Sequence, residues 1–110
     1  MNNENILVNV VCRKDKKNQQ NIAPIYIRIR HNKKCKFIYL KEKINVELWD
    51  FETNQIKPEC PNKEYLEIVI NDKKQEIEKK ILSLKLSDKP FTIDDIIEPV
   101  NKKKRNINNR

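Results

Sequence analysis

The sequence predicts an α+β fold, in which a three-stranded antiparallel sheet carries one long C-terminal helix packed on one face. Residues 25–30 alternate aliphatic and polar side chains, a polar turn follows, and residues 35–40 form the return strand of a predicted β-hairpin. Residues 66–84 repeat apolar side chains at spacings of four, seven, four and three, as an amphipathic helix does. A length of 110 residues suits one domain with a modest core.

The first predicted strand is the Val- and Ile-rich segment over residues 6–12. Ile6, Val8 and Val10 share one of its faces. The opposite face is mixed, so the sequence leaves open which face is buried. A polar loop over residues 15–21 then leads to the hairpin.

The second strand is the clearest element, because aliphatic and polar side chains alternate strictly along it. One face is aliphatic and the other carries a phenol and two guanidiniums: Ile25, Ile27 and Ile29 alternate with Tyr26, Arg28 and Arg30. Asn32 and Lys33 form the predicted turn. Asn tolerates the positive φ that such a turn needs, and the chain has no glycine.

The third strand, over residues 35–40, does not reveal its buried face. Its two sets of side chains are both mostly apolar: Cys35, Phe37 and Tyr39 on one face, and Lys36, Ile38 and Leu40 on the other. Alternation alone therefore cannot orient this strand.

The second half of the chain is predicted to be mainly helical. Residues 45–50 have the pattern of a capped helical turn, in which Trp49 is a core anchor. Asn62 is the predicted cap of the long helix, which ends near residues 87–90. Thr92 opens a short second helix that stops before Pro99.

Positive charge is concentrated in part of the chain, although the net charge is +8 overall. Residues 13–43 hold eleven Lys and Arg against two acids, a net charge of +9. Residues 62–100 hold seven basic and nine acidic side chains, a net charge of −2, and residues 101–110 add five cations. This distribution is typical of a surface that binds a polyanion.

Other classes of protein fit the sequence poorly. No apolar run approaches the roughly 20 residues of a membrane span, and the N-terminus is no signal peptide. Cys12, Cys35 and Cys60 are odd in number and lack metal-site spacing, which favours reduced thiols in a cytoplasm and no bound metal.

The order of these elements resembles the N-terminal arm-type DNA-binding domain of tyrosine recombinases, the Bacteroidetes-type integrases of phages and conjugative transposons. The segments that carry the resemblance are residues 23–29, 32–34, 38–40, 49–50, 56–57 and 89–96. The resemblance implies an arm domain over residues 5–87, the start of a linker to an absent core-binding domain over 88–100, and a disordered basic tail over 101–110. Lys33 and Lys41 stand where the family usually has glycine.

The resemblance implies sequence-specific binding of double-stranded DNA, with the three-stranded sheet in the major groove at the arm-type sites of a recombinase. Other recombinase protomers are further expected partners, whereas a membrane or a small molecule is not. We expect no catalytic residue, no cofactor and no enzyme activity, because no nucleophile lies beside a base and no catalytic domain follows. A truncated gene, an excised domain and a standalone binder remain open.

The candidate DNA-binding residues come from the hairpin and its flanks. Arg28 and Arg30 lie on one strand face about 7 Å apart and are predicted to address base edges. The remaining candidates are expected to contact phosphates or a thymine methyl: Arg13, Lys14, Tyr26, Lys33, Lys34, Lys36 and Tyr39. His31 is expected at the surface. The alternative function is a small protein-interaction module whose basic surface is incidental.

Overall fold

A computed structural model describes the backbone of residues 6–102 and the side chains of residues 6–97. Its strands and α-helices are, in chain order, β1 (Leu7–Cys12), β2 (Ile22–His31), β3 (Lys34–Asn45), β4 (Trp49–Asp50), β5 (Gln55–Ile56), α1 (Lys63–Leu86) and α2 (Ile93–Lys102). Two short 3₁₀ turns, Lys14–Lys16 and Val46–Leu48, join strands. Most of the predicted basic tail lies outside the described residues.

The main sheet is antiparallel, with β2 between β1 and β3. Ile27 at the centre of β2 pairs with Val10 on one side and with Ile38 on the other. The long helix α1 packs on one face of this sheet, which confirms the predicted α+β class.

The core lies between the sheet and α1. Its centre is formed by side chains of β2 and α1 that are at most 8% exposed: Ile25, Ile27, Ile29, Leu66, Ile70, Ile77 and Ile81. Val8, Val10 and Cys12 are the inward side chains of β1, because they pair with the buried isoleucines of β2. On β3 the inward face carries Ile38 and Leu40, which turns Phe37 and Tyr39 outward.

The small hairpin β4–β5 closes one end of the core through Trp49, which is 2% exposed. The indole Nε1 donates to the side-chain oxygen of Asn54 at 3.1 Å, and the Asn54 amide donates to the carbonyl of Val10. These two hydrogen bonds join the β4–β5 hairpin to β1 and hold the indole in place. Trp49 is therefore a core anchor, as predicted.

The caps were only partly predicted. The side chain of Asn45 accepts a 2.8 Å hydrogen bond from the Glu47 backbone N–H, as the capped-turn pattern indicated. The prediction for Asn62 was wrong in detail, since its side chain caps no backbone N–H of α1. Its Oδ1 instead accepts a hydrogen bond from the thiol of Cys60 at 3.3 Å.

The helix α2 is longer than predicted and runs through Pro99 to Lys102. A proline removes one donor, but its fixed φ is compatible with helix. The start of α2 agrees with the sequence, because the Asp95 carboxylate accepts from the backbone N–H of Thr92 at 2.9 Å. Ile93 and Ile96 belong to the same buried core as α1, and the predicted domain boundaries stay a prediction.

His31 is buried, at 4% exposure, so the expectation of a surface position was wrong. Its ring stacks on Phe91 with centroids 5.5 Å apart, because the segment before α2 covers the end of β2. No sequence pattern predicts this contact, because it joins residues 60 positions apart.

Among the described residues six have positive φ: Asn21, Asn32, Lys33, Lys41, Asn54 and Asp88. Asn32 and Lys33 form the β2–β3 turn with φ of 54° and 68°. Lys41 has φ of 65° at the irregularity where the β2–β3 register shifts, which is a β-bulge. Lys33 and Lys41 both adopt the left-handed conformation, at the two positions where the resemblance implies glycine.

Candidate nucleic-acid interface

The sheet face opposite the helices is called the open face here. Where all three strands overlap, nine side chains point toward it: Leu7, Asn9, Val11, Tyr26, Arg28, Arg30, Cys35, Phe37 and Tyr39; Ile22, Pro24, Lys43 and Asn45 extend this face beyond the bulge. None of the nine is a carboxylate. Because the buried face of β2 is occupied by isoleucines, the strict alternation of this strand forces its two arginines and its tyrosine outward.

The register of the sheet arranges the open face in three cross-strand rows. The row nearest the β2–β3 turn is Leu7–Arg30–Cys35, the middle row is Asn9–Arg28–Phe37, and the last row is Val11–Tyr26–Tyr39. The central position of each row belongs to β2. The predicted trio of this strand therefore lies in a line along the middle of the face.

The last two rows carry an aromatic cluster around Tyr26. Its ring meets Phe37 edge-on at 5.9 Å and Tyr39 in a tilted contact at 5.3 Å between centroids. Phe37 and Tyr39 are each 40% exposed. The cluster gives the open face a firm apolar patch beside its arginines.

Arg13, just after β1, leans over this cluster with its guanidinium carbon 4.6 Å from the Phe37 centroid and 5.6 Å from that of Tyr26. It also donates from Nε and Nη2 to the two carboxylate oxygens of Asp15, each at 3.2 Å. This hydrogen-bonded pair lowers the pKa of Asp15 and raises that of Arg13. Both groups therefore stay charged across the working range of pH.

Arg28 is half-buried between Asn9 and Phe37. Its Nε is buried and has no hydrogen-bond partner within the described part of the chain. A buried donor without a partner is costly. Arg30, one row further, is exposed.

The predicted lysines are divided by the sheet. Lys33 sits in the turn, and Lys14 lies at the opposite end with its ammonium 5.3 Å from the Phe51 ring centroid. Lys34 and Lys36 pair with His31 and Ile29, so they lie on the face that the helices cover. The Lys36 ammonium is 3.8 Å from a carboxylate oxygen of Asp94. The structure does not bring Lys36 to the face of Arg28 and Arg30.

Sequence reasoning did not include Asn9 and Phe37 among the candidates, although they flank Arg28 directly. Phe37 could have been found from its alternation with the inward Ile38. Asn9 depends on the orientation of β1, which its sequence leaves open. Glu42, one of the two acids of the hairpin region, lies on the helix side and accepts a 2.6 Å hydrogen bond from Tyr65.

The site has the chemistry of binding. Among the residues with described side chains, no three His, Cys, Asp or Glu come together as metal ligands. Within the described residues no helix has the length and apolarity to cross a membrane. Two arginines, an amide and an aromatic cluster on a surface free of carboxylates are suited to an anionic ligand with planar groups.

Comparison with known proteins agrees with this chemistry. The arm DNA-binding domain family matches residues 10–97, which include the end of β1, all of β2, β3 and α1, and the start of α2. No curated protein and no solved structure matches the chain significantly. Since the family match covers most of the chain, this protein belongs to the arm DNA-binding domain family.

Proposed function

We propose that the open face enters the major groove of double-stranded DNA and reads its sequence, as the arm-site module of a tyrosine recombinase. The observation that carries this proposal is the line of Tyr26, Arg28 and Arg30 along a face that bears no carboxylate. Three strands at about 4.8 Å spacing are about 10 Å across, which suits a groove about 12 Å wide. Membership of the family supports binding to DNA.

Arg28 and Arg30 are the residues for direct readout. Arginine pairs with O6 and N7 of guanine through two hydrogen bonds, and asparagine pairs with adenine in the same way. Asn9 lies beside Arg28 across β1 and β2. We therefore assign base contacts to these three side chains.

Contacts with the sugar–phosphate backbone belong to the edges of the open face. Lys33 lies in the turn, and Arg13 and Lys14 follow β1 at the far end of the face. Tyr26 and Tyr39 offer hydroxyls between these two ends. Neutralising five to seven phosphates gives a log–log salt slope of roughly −4 to −6 on duplex DNA.

The test is competition binding on a selected duplex and on a scrambled one. Arg28→Ala and Arg30→Ala should each cost about 1–3 kcal/mol on the selected site and little on scrambled DNA. Lys33→Ala should weaken both DNAs alike and reduce the salt slope by about one unit.

Lys36→Ala is the matched control, because it also removes one cation from the hairpin but on the helix side. It should leave both affinities within about twofold and the salt slope nearly unchanged. Full binding by the Arg28→Ala/Arg30→Ala double variant would show that another face binds DNA. Equal losses on both DNAs would show that the sheet reads charge and not sequence.

The place of this module in a recombinase is tested separately. In such an enzyme the arm domain holds a distant DNA repeat while a catalytic domain exchanges strands. The genomic sequence that follows the codon of Arg110 should encode a core-binding and a catalytic domain. A stop codon with no recombinase reading frame downstream would leave a DNA-binding module without that role.

A further inference from the structure

The solvent side of α1 carries a second patterned surface that DNA binding does not use. Seven exposed residues follow one another at alternating spacings of three and four: Tyr65, Ile68, Asp72, Gln75, Lys79, Leu82 and Leu86. We call this set the outer stripe. Its four apolar members are 53%, 65%, 57% and 76% exposed, in chain order.

The outer stripe has the spacing of a coiled-coil seam. Spacings of three and four repeat every seven residues, which keeps a line of side chains facing one partner helix. With about 100° between successive residues, this line lies roughly 180° from the buried stripe that includes Leu66 and Ile77. The helix is therefore apolar along two opposite lines, and within the described residues only the line that faces the sheet is buried.

An antiparallel copy of α1 would place each side chain of the outer stripe opposite a complementary one. Apolar pairs occupy both ends, Asp72 and Lys79 are placed symmetrically, and Gln75 lies between them. We propose that α1 pairs antiparallel with α1 of a second copy of this chain, around a two-fold axis beside Gln75. Such an interface is isologous, because each copy contributes the same surface.

In this pairing every exposed side chain of the stripe meets a suitable partner. Ile68 packs against Leu82 of the second copy at both ends of the interface. The ring of Tyr65, whose hydroxyl donates a 2.6 Å hydrogen bond to Glu42 of its own chain, lies beside Leu86 of the second copy. Asp72 faces Lys79 of the second copy twice, and Gln75 faces Gln75, which both donates and accepts. A parallel pairing would instead place Asp72 on Asp72 and Lys79 on Lys79, which repel.

The flanking charges are compatible with the antiparallel arrangement. Glu64 and Lys85, both exposed, come opposite each other across the two chains. Glu76 approaches its own copy near the axis. Its carboxylate already accepts a hydrogen bond from the Lys73 ammonium at 3.2 Å, so that the group of four charges is neutral.

The dimer is expected to be weak. From Tyr65 to Leu86 the helix extends about 31 Å at 1.5 Å per residue, so one helix supplies the whole contact. This is less than the roughly 800 Å² per partner of a standard stable complex. A dissociation constant on the order of 10–100 µM is the expectation, with association favoured where DNA repeats raise the local concentration.

The arrangement has a consequence for DNA that rests on the proposed function. The two sheets lie on the outer sides of the paired helices, roughly 30 Å apart, with their open faces pointing in opposite directions. One duplex cannot enter both faces. The dimer therefore bridges two separate DNA segments, as a device that brings distant repeats together.

Self-association is tested without DNA by sedimentation equilibrium of the 110-residue chain across 5–500 µM, a range set about the expected constant. Asp72→Lys and Lys79→Asp change the net charge in opposite directions, yet each turns two attractive pairs into repulsive ones. Each should weaken the dimer about fivefold to tenfold, and the Asp72→Lys/Lys79→Asp double variant should restore it to within about threefold. A monomer throughout this range, or a double variant no better than the singles, would overturn the pairing.

Cross-linking tests the orientation. In a Cys35→Ser background, Gln75→Cys should form a disulfide-linked dimer under a mild oxidant, because both copies meet at the axis. Leu82→Cys is the matched control and should not, since its copies lie about 21 Å apart along the helices. Cross-linking at both positions would indicate a parallel pair, and cross-linking at neither would refute the contact.

Bridging is measured with an immobilised duplex and a second, fluorescent duplex. The wild-type chain should retain the fluorescent duplex, both single variants should lose it, and the double variant should regain it. Binding of the monomeric variants to one duplex should stay within about twofold of wild type, because Asp72 and Lys79 lie far from the open face. Intact self-association together with absent DNA binding would refute the proposed function and leave the dimer standing.

Discussion

The guanidinium of Arg13 lies 4.6 Å from the centre of the Phe37 ring while it donates two hydrogen bonds to Asp15. The Asp15 carboxylate at the edge of the open face is thus held by Arg13, which stacks on the aromatic cluster. A side chain in such a double contact is well ordered, and its charge is partly used within the protein. The Arg13–Asp15 pair has no net charge, so this edge of the open face would become more basic if Asp15 lost its charge.

Asp15→Asn should therefore strengthen DNA binding. The amide keeps the shape of the side chain but removes the anion, which releases Arg13 for a phosphate. We expect about twofold to fivefold tighter binding near 100 mM salt, and a salt slope steeper by up to about one unit. Weaker binding would instead show that Asp15 positions Arg13 for its DNA contact. The measurement is the same salt titration, with Lys36→Ala as the reference variant.

Lys41→Gly should stabilise the fold. Lys41 has φ of 65° at the bulge of β3, and a left-handed residue with a Cβ costs roughly 1–2 kcal/mol. Glycine avoids this cost but loses more entropy on folding, so the expected net gain is about 0.5–1 kcal/mol. Thermal unfolding measures it as a rise of a few degrees.

Lys43→Gly is the control for that variant, because Lys43 is exposed in the same strand and is absent from the residues with positive φ. It should destabilise by about 0.5–1 kcal/mol, since glycine in a regular strand position gains nothing. Equal effects at the two positions would mean that backbone conformation does not decide the outcome.

The hairpin was predicted well because aliphatic and polar side chains alternate strictly over residues 25–30 of β2. Burial of Ile27 fixes the direction of Arg28 by pleating alone, with no need of tertiary information. β1 and β3 have apolar residues on both faces, so their orientation depends on register with β2. The position of Lys36 shows the result: it is close to Arg28 in sequence but lies on the other face.

The errors in the sequence reading arose from contacts between distant segments. Burial of His31 depends on Phe91, which reaches the sheet only because α1 crosses it and the chain returns. The Asn62 side chain faces the thiol of Cys60 and not the helix, a local choice that propensity does not resolve. The outer stripe was visible as spacing, but its exposure could be known only after α1 was placed.

His31→Phe should stabilise the protein. The His31 Nε2 is buried and has no hydrogen-bond partner within the described part of the chain, which costs roughly 1–3 kcal/mol. Phenylalanine keeps a planar ring against Phe91 and removes the unpaired polar atom. We expect about 1 kcal/mol of added stability in chemical denaturation. His31→Ala is the control, and it should destabilise because it removes the stack and leaves a cavity.

The three thiols should differ sharply in reactivity. Cys35 is exposed on the open face, whereas Cys12 and Cys60 are buried. Burial raises the pKa of the Cys12 thiol to about 11, so its thiolate is scarce below pH 9. A maleimide at pH 7.5 should add one label to the folded chain and three in denaturant. Two fast labels on the native protein would contradict the burial of Cys12 or Cys60.

The raised pKa of Cys12 also predicts how stability depends on pH. In the unfolded chain this thiol has its ordinary pKa of 9.0, whereas in the folded chain burial raises the pKa to about 11. The contribution of the neutral thiol is therefore complete below pH 9 and is lost as pH rises toward 11. Cys12→Ala should lose less stability than wild type between pH 8 and 11 in parallel urea titrations, and an identical pH profile would contradict the shift.

Bound DNA should protect Cys35 from labelling. Cys35 shares a cross-strand row with Arg30, so a duplex that contacts this arginine covers the thiol. At saturating DNA we expect the labelling rate of Cys35 to fall by about tenfold or more, because access requires dissociation. Cys12 and Cys60 serve as internal references, since their labelling depends on opening of the fold. Undiminished labelling of Cys35 on saturated DNA would place the duplex on another face. If Cys35 stays protected in Arg30→Ala at saturation, the duplex covers this row without needing the arginine contact.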